Sequence, residues 1–219
     1  MSQKMKGETE RIKDHALKLG ADLVGVADAS SLKGIDTYVP NLFVSFPRAI
    51  SIAVRVEKFG SKVEEINYSF TKQIELLENI ALRISNFIHD KVFKTLIIHP
   101  EDRIDPAGER GLISNKAVAK AAGIGWLGKS LLLVTPKYGP RVRLVSIFTD
   151  MPLIPDRPLE CQCKDCQVCI DACPEKALKN VEFVDHPRRR EEVLDLTKCK
   201  GESDCKVCML ICPLGILKK

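Results

Sequence analysis

All nine cysteines of this 219-residue chain lie between Cys161 and Cys212, and this crowding limits the possible folds more than any other feature of the sequence. Residues 1–20 are charged and lack the apolar run of a secretory signal, so we expect a cytoplasmic protein. The apolar stretches are also too short to cross a membrane. Because cytoplasmic thiols stay reduced, such a dense set of cysteines indicates metal ligands rather than disulfides.

The cysteines fall into two motifs that repeat each other. The first has the spacing C-x2-C-x2-C-x3-C-P and comprises Cys163, Cys166, Cys169, Cys173 and Pro174. The second comprises Cys205, Cys208, Cys212 and Pro213, each cysteine lying 39 residues after its counterpart. Bacterial ferredoxins use this spacing to hold two [4Fe–4S] clusters, with the last cysteine of each motif ligating the other cluster. The duplication therefore predicts a ferredoxin-like module that transfers electrons one at a time.

One ligand of the repeat is displaced, because Glu202 stands where the counterpart of Cys163 would be. Cys199, separated from Cys205 by a gap of five residues, is the candidate to replace it. Crossed ligation then assigns the first cluster to Cys163, Cys166, Cys169 and Cys212. It assigns the second cluster to Cys173, Cys199, Cys205 and Cys208. Cys161 is left over as a free thiol. Zinc is the competing metal for CxxC pairs, but the cysteine count, the prolines and the repeat favour iron–sulfur clusters.

The remainder of the chain reads as a separate domain. Its composition, with 45% hydrophobic and 29% charged residues, is ordinary for a protein with a core, and the net charge of +5 demands no particular partner. The sequence predicts helices over 3–19, 63–88 and 112–122, and strands over 22–27, 50–56, 93–98, 131–134 and 142–148. The fold class is therefore α+β: an α/β domain over 1–150 and a ferredoxin-like module over 151–219, divided near a proline-rich stretch at 151–158.

The glycine-rich segment GIGWLGKS at 123–130 matches two nucleotide-binding patterns, G-x-G-x-x-G and G-x-x-x-x-G-K-S. Both motifs require a strand before the glycines and a helix after them, so that the helix N-terminus faces the phosphates. Here a predicted helix precedes the glycines and a predicted strand follows them. The reversed order argues against a nucleotide site and against a P-loop ATPase.

This segment and its surroundings resemble a known family. The run AAGIGWLGKSLLLVTPKYGPRVRLVSIFTDMPL, followed by the cysteine motifs, resembles the epoxyqueuosine reductases, as does the opening LGADLVGVAD. In that family and the related reductive dehalogenases, a nitroreductase-like α/β domain holds cobalamin, and two clusters feed electrons to its cobalt. The resemblance implies an iron–sulfur oxidoreductase, loaded by a donor such as a ferredoxin or flavodoxin. Flavin is the alternative cofactor, because nitroreductase-like folds often hold it.

The resemblance also implies site residues. Gly123, Gly125 and Gly128 would let the backbone approach a large flat ligand. Trp126 would stack on that ligand or pack in the core, and Lys129 and Ser130 complete the candidate cofactor-binding segment. No D-x-H-x-x-G motif is present, so a corrinoid would be bound base-off, without a histidine from the protein on its cobalt.

The family's general acid is an aspartate just before the helix that leads into the glycine turn. In this chain the corresponding loop is RIDPAGERG, where an ungapped count selects Glu109 and a small shift selects Asp105. Either carboxyl would deliver a proton if burial raised its pKa; otherwise it is a loop carboxylate or a salt-bridge partner.

The chain ends seven residues after Cys212, where epoxyqueuosine reductases carry a helical-repeat region that helps to grip tRNA. We therefore expect a short form that reduces a small organic substrate rather than tRNA and has no membrane partner. The alternative is an electron carrier whose α/β domain docks a partner enzyme.

Overall fold

An antiparallel sheet of four strands forms the centre of the N-terminal half. The computed structural model describes residues 2–56, 63–101, 111–181, 187 and 189–215. The strands are β1 (Leu23–Asp28), β2 (Arg48–Arg55), β3 (Thr95–Ile98) and β6 (Val142–Thr149), in the order β1-β2-β6-β3. Each neighbouring pair is antiparallel. The predicted alternation of helices and strands therefore exists, but it builds an antiparallel sheet rather than parallel crossover units.

Two helices cover one face of this sheet. They are α1 (Ser2–Lys18) and the long amphipathic helix α3 (Val63–His89). Their apolar sides pack with alternate residues of the strands in a core that includes Ile12, Leu77, Ile80, Ile84, Ile50, Ile52, Val145 and Ile147. A half-buried ion pair joins α1 to the segment just after α3, where the Lys91 ammonium lies 2.9 Å from the Glu8 carboxylate. In α3 the fully buried residues Leu77, Ile80, Ile84 and Ile88 recur every three or four positions, as an amphipathic helix requires.

A shorter helix, α4 (Asn115–Ala121), covers the opposite face, beside the four-residue helix α2 (Leu42–Ser45). The hydroxyl of Ser114 caps α4 by accepting a hydrogen bond from the Ala117 amide at 3.3 Å. The C-terminal end of α4 rests directly on β1, because a side chain at Gly25 would collide with the carbonyl of Ala122. This close packing brings the glycine turn after α4 to the edge of the domain.

The glycine turn leads into a two-stranded hairpin, β4 (Trp126–Leu127) and β5 (Leu133–Val134). The sequence predicted the second strand, although two residues longer, and did not predict the first. The order of helix, turn and strand is as the sequence indicated, so no helix follows the glycines to present its N-terminus to a phosphate.

The C-terminal module is built from short helices, α5 (Val168–Asp171), α6 (Gly201–Asp204) and α7 (Val207–Leu210), with a 3-10 turn at Arg190–Glu192. The start and end of α5 and α7 are offset by the same 39 residues as the cysteines, and the two helices pack against each other. Their small core, around Ala177, Leu178, Val193 and Leu194, also takes in Leu127 and Leu131 of the hairpin segment. The repeat seen in the sequence is thus a repeat of structure.

The proline-rich stretch at 151–158 is fastened to the N-terminal domain. Leu153 is fully buried in the core beneath α1 and α3, and the Ile154 amide donates to the Thr9 hydroxyl at 2.9 Å. The Asp156 carboxylate accepts hydrogen bonds from the Val26 amide at 2.8 Å and from the Lys13 ammonium at 2.7 Å. The connection between the two parts therefore follows a fixed path along α1 and β1. Among the described residues, none of the helices has both the length and the apolar character needed to span a bilayer.

Candidate metal centre

Four of the predicted ligands share one neighbourhood beside α5. Burial raises the pKa of the Cys169 thiol to about 11, and the nearby Cys163, Cys166 and Cys212 raise it further. Burial also raises the pKa of Cys212, again with contributions from Cys163 and Cys166. Since such interactions fade over a few ångströms, the fold brings Cys212 next to the three cysteines of the first motif.

The second set of four forms a matching neighbourhood around α7. Burial raises the pKa of Cys208 to about 12, and the effect is increased by Cys169, Cys205, Cys199 and Cys173. Cys173, which ends the first motif, therefore lies with the cysteines of the second. Because Cys169 interacts with both sets, the two neighbourhoods are adjacent. These neighbours are compatible with crossed ligation, and the assignment of the eight cysteines as cluster ligands stays a prediction.

The chemistry of these donors fits iron–sulfur clusters. All nine cysteines are free thiols. Cysteine binds a metal as the thiolate. Crowding several buried thiols raises their pKa values, so as thiolates they need a nearby positive charge. The iron ions of a cluster would supply that charge. Within the described ranges, there is no group of three or more His, Cys, Asp or Glu side chains close enough together to hold a single metal ion. A cubane differs from a single ion because it spreads four ligands over four iron atoms.

Hydrogen-bond donors point at several of these sulfurs. The Ala177 amide donates to Cys173 Sγ at 3.3 Å, and the Gly201 amide donates to Cys199 Sγ at 3.5 Å. A third donor comes from the N-terminal domain, where the indole Nε1 of Trp126 lies 3.4 Å from Cys163 Sγ. Donors of this kind stabilise negative charge on thiolate ligands.

Cys161 occupies a different position from the other eight. Its side chain is exposed, and its sulfur lies 3.9 Å from the Leu127 carbonyl oxygen, which makes at most a weak contact. Cys161 raises the pKa of the nearby Lys120, against the larger effect of burial, which lowers it. This placement agrees with its interpretation as a spare thiol.

The glycine turn does not present the open surface that the resemblance implies. Gly123 has a positive φ of +70°, and an added side chain would lie 2.5 Å from the carbonyl oxygen of Arg157. An added side chain at Gly125 would collide with the carbonyl of Val134. The structure thus explains both glycines by close packing of the chain on itself, rather than by approach to a flat ligand.

The remaining candidates in the turn are also enclosed. Trp126 is 1% exposed and Lys129 is 9% exposed, while Ser130 is half-buried. Of the two interpretations of Trp126, stacking on a ligand and packing in the core, the structure supports the second and adds its contact with Cys163. These residues are enclosed as placed, and their assignment as cofactor-binding stays a prediction. The candidate acids Glu109 and Asp105 lie outside the described residues.

The sequence did not single out Arg141, the residue that fastens the end of the second motif. Its side chain is buried, and Nη1 donates to the carbonyl oxygens of Met209 at 3.0 Å and Cys212 at 3.2 Å. Nη2 donates to the carbonyl oxygen of Leu214. The positive charge of Arg141 also lowers the pKa of Cys212, against the larger effect of burial. No motif marks this residue, because only the fold places it beneath α7.

Comparison with known proteins gives a consistent picture. No protein-family model matches the chain. The epoxyqueuosine reductase of Bacillus cereus (strain ATCC 14579) is 33% identical over 127 residues, covering 52% of this chain and 33% of that protein. The chain therefore spans about a third of the curated relative it matches.

Solved structures show the same fold over most of the chain. A selenomethionine-labelled epoxyqueuosine reductase superposes with a TM-score of 0.70 at 21% identity, covering 95% of this chain and 66% of the other. A reductive dehalogenase, whose structure was interpreted as a mechanism for B12-dependent dehalogenation, superposes with a TM-score of 0.66 at 18% identity, covering 95% and 32%. At these identities the structural likenesses show a shared fold, and the sequence identity shows that about half of this chain is similar to the epoxyqueuosine reductases.

Proposed function

We propose that this protein is an iron–sulfur oxidoreductase that holds two [4Fe–4S] clusters and passes electrons from them, one at a time, to a second cofactor at its N-terminal domain. The cofactor we favour is cobalamin, and the substrate is a small organic molecule. Electrons come from a donor protein such as a ferredoxin or flavodoxin. The relationship to epoxyqueuosine reductases supports the class of activity, and the B12-dependent chemistry of the similar dehalogenase supports the cofactor.

The observation that carries this proposal is the exchange of cysteines between the two motifs. Cys212 lies with the first set, and Cys173 lies with the second. Single-ion zinc sites also use cysteine pairs, but among the described residues no group of three or more His, Cys, Asp or Glu side chains is placed to hold a single ion. Two adjacent cubanes with crossed ligation do require this exchange.

In this proposal the thiolates bind each cluster, and the surrounding residues tune its reduction potential. Each [4Fe–4S] cluster would hold one electron when it is reduced. Cys166 and Cys199 are exposed, so each set keeps one edge accessible to a donor protein. Cys163 and Cys212 instead contact Trp126 and Arg141 of the N-terminal domain. Electrons can therefore enter at the exposed edges and leave toward the domain that would hold the substrate.

The direct test is anaerobic purification followed by iron and sulfide analysis, spectroscopy of the reduced protein, and titration with a corrinoid. We expect about eight irons per chain and a paramagnetic signal from two interacting clusters, since two cubanes hold four irons each. A shift in the corrinoid spectrum on mixing would support the proposed second cofactor. Stoichiometric zinc in place of iron would contradict the proposal.

A second function, that of an electron carrier without its own catalytic cofactor, is favoured by one observation. The glycine turn that was expected to meet a cofactor is closed by contacts with Arg157 and Val134. Clusters that form normally in a protein that takes up neither corrinoid nor flavin would support the carrier. In that case the N-terminal domain serves to dock a partner enzyme.

A further inference from the structure

The single tryptophan of the chain points its indole N–H at a predicted cluster ligand. Trp126 Nε1 lies 3.4 Å from Cys163 Sγ, and the indole is 1% exposed. We propose that Trp126 is a positioning residue that raises the reduction potential of the first cluster through this hydrogen bond. The inference rests on the proposed function, because Cys163 must ligate a cluster for the bond to have this effect.

The hairpin holds the indole in place. Trp126 pairs with Val134 across β4 and β5, so its backbone is fixed by the ladder rather than by a free loop. Two residues later, Gly128 leaves space beside the same sulfur, because an added side chain would lie 3.5 Å from Cys163 Sγ and 2.7 Å from a methyl group of Val134. The geometry of the contact is therefore built into the N-terminal domain.

The burial of this contact makes the hydrogen bond effective. Trp126 is enclosed, so water does not compete for the N–H or screen its dipole. A half-buried sulfur such as Cys163 gains more from a directed donor than an exposed one does. The amide that donates to Cys199 contacts an exposed thiol, where solvent weakens the same effect.

The direction of the effect follows from charge. Reduction adds one electron from an external donor to the cluster, no covalent bond changes, and no proton is transferred in this step. The added negative charge is shared by the thiolate sulfurs, so a donor aimed at Cys163 stabilises the reduced form more than the oxidised form. Removing the N–H should therefore make the first cluster harder to reduce and leave the second nearly unchanged.

The cleanest removal of the N–H replaces the only tryptophan with benzothienylalanine, which has the same shape and no N–H. Incorporation in a tryptophan auxotroph changes no other position of the chain, since it contains one tryptophan. Trp126→Phe is the genetic counterpart, and Tyr138→Phe is the matched control. Tyr138 is also a buried aromatic residue of this domain, and its hydroxyl donates to Asp22 at 3.1 Å rather than to a thiol.

The experiment is an anaerobic dithionite titration followed by electron paramagnetic resonance, on samples with equal iron content. A Cys163→Ser variant identifies which signal belongs to the first cluster. We expect a more negative midpoint potential for that cluster in both tryptophan replacements, and wild-type values in Tyr138→Phe. Unchanged potentials in the fully loaded benzothienylalanine protein would overturn the inference while leaving the proposed function intact. Absence of iron from the wild type would instead refute the proposed function.

Discussion

The buried guanidinium of Arg141 offers the sharpest test of how the two parts of the chain are joined. We consider Arg141→Met, which keeps most of the length of the side chain and removes the charge and the donors. Three carbonyl oxygens, those of Met209, Cys212 and Leu214, then lose their partner, and the bond to Met209 is fully buried. The segment at the end of α7 should then open more often.

The size of the effect can be worked out from these contacts. A hydrogen bond to a charged group contributes about 1.5–3 kcal/mol, and the three bonds share one side chain, so their contributions are not additive. Burial lowers the pKa of Arg141, which shows that holding the charge there is itself unfavourable and offsets part of the gain. We therefore expect the opening free energy of this segment to fall by about 2–4 kcal/mol, a factor of roughly 30 to 1,000 in the open population.

Hydrogen exchange measures that population directly. Amides of Met209, Leu210 and Ile211 are bonded within the helical turn, so a peptide covering residues 207–215 should lose protection by this factor. The matched control is Arg55→Met, because Arg55 is 46% exposed and lies 3.8 Å from Asp22, a pair that contributes under about 1 kcal/mol. Exchange in Arg141→Met that equals exchange in the control would refute the reasoning.

Three further changes test other parts of the structure. Gly125→Ala should prevent accumulation of folded protein, since its side chain would collide with the backbone of β5, whereas Gly7→Ala, with open space around it, should raise the melting temperature slightly. Cys199→Ala should lose about half of the bound iron, with Cys161→Ala at the wild-type value, because the crossed assignment uses Cys199 and leaves Cys161 without a cluster. In the wild type, a hydrogen bond from Lys91 lowers the pKa of Glu8, so the pair stabilises the protein fully above the ordinary pKa of 4.5 and loses this effect as the pH falls through the lower folded pKa. Glu8→Gln should therefore reduce the dependence of the melting temperature on pH between neutral and acid conditions. An unchanged pH dependence of the melting temperature in Glu8→Gln would contradict this role of the pair.

The sequence predicted those elements whose periodicity reflects a single buried face. The helix expected over 63–88 is observed at Val63–His89, and the strand expected over 142–148 is observed at Val142–Thr149. The repeat of 39 residues seen in the cysteines recurs in the structure as two equivalent short helices, α5 and α7. These features depend on local pattern, which a sequence displays openly.

The features that the sequence did not predict depend on contacts between distant segments. Gly123 and Gly125 were expected to let the backbone approach a flat ligand, yet their close approach is to the chain itself. The strand at Trp126–Leu127 is only two residues long and owes its pairing to β5, so no periodicity could reveal it. Arg141 likewise bonds backbone carbonyl groups about 70 residues away in the chain. Every residue has such a carbonyl group, so the sequence cannot show which of them Arg141 contacts.

The contacts between the two parts bear on what the module does. Gly139 and Gly215 both have positive φ. They let the backbone of the loop before β6 pack directly against the backbone around Leu214 and Gly215. Together with the indole at Cys163 and the guanidinium beneath α7, they hold the cysteine sets at a fixed distance from the sheet. A carrier that shuttles between partners gains nothing from such a connection, because it must expose its clusters to each partner in turn. A relay gains directly, since electron transfer within one molecule requires a short and constant separation between its centres. The fixed attachment therefore favours an internal acceptor over a diffusing partner, and corrinoid or flavin uptake by the loaded protein is the measurement that decides between them.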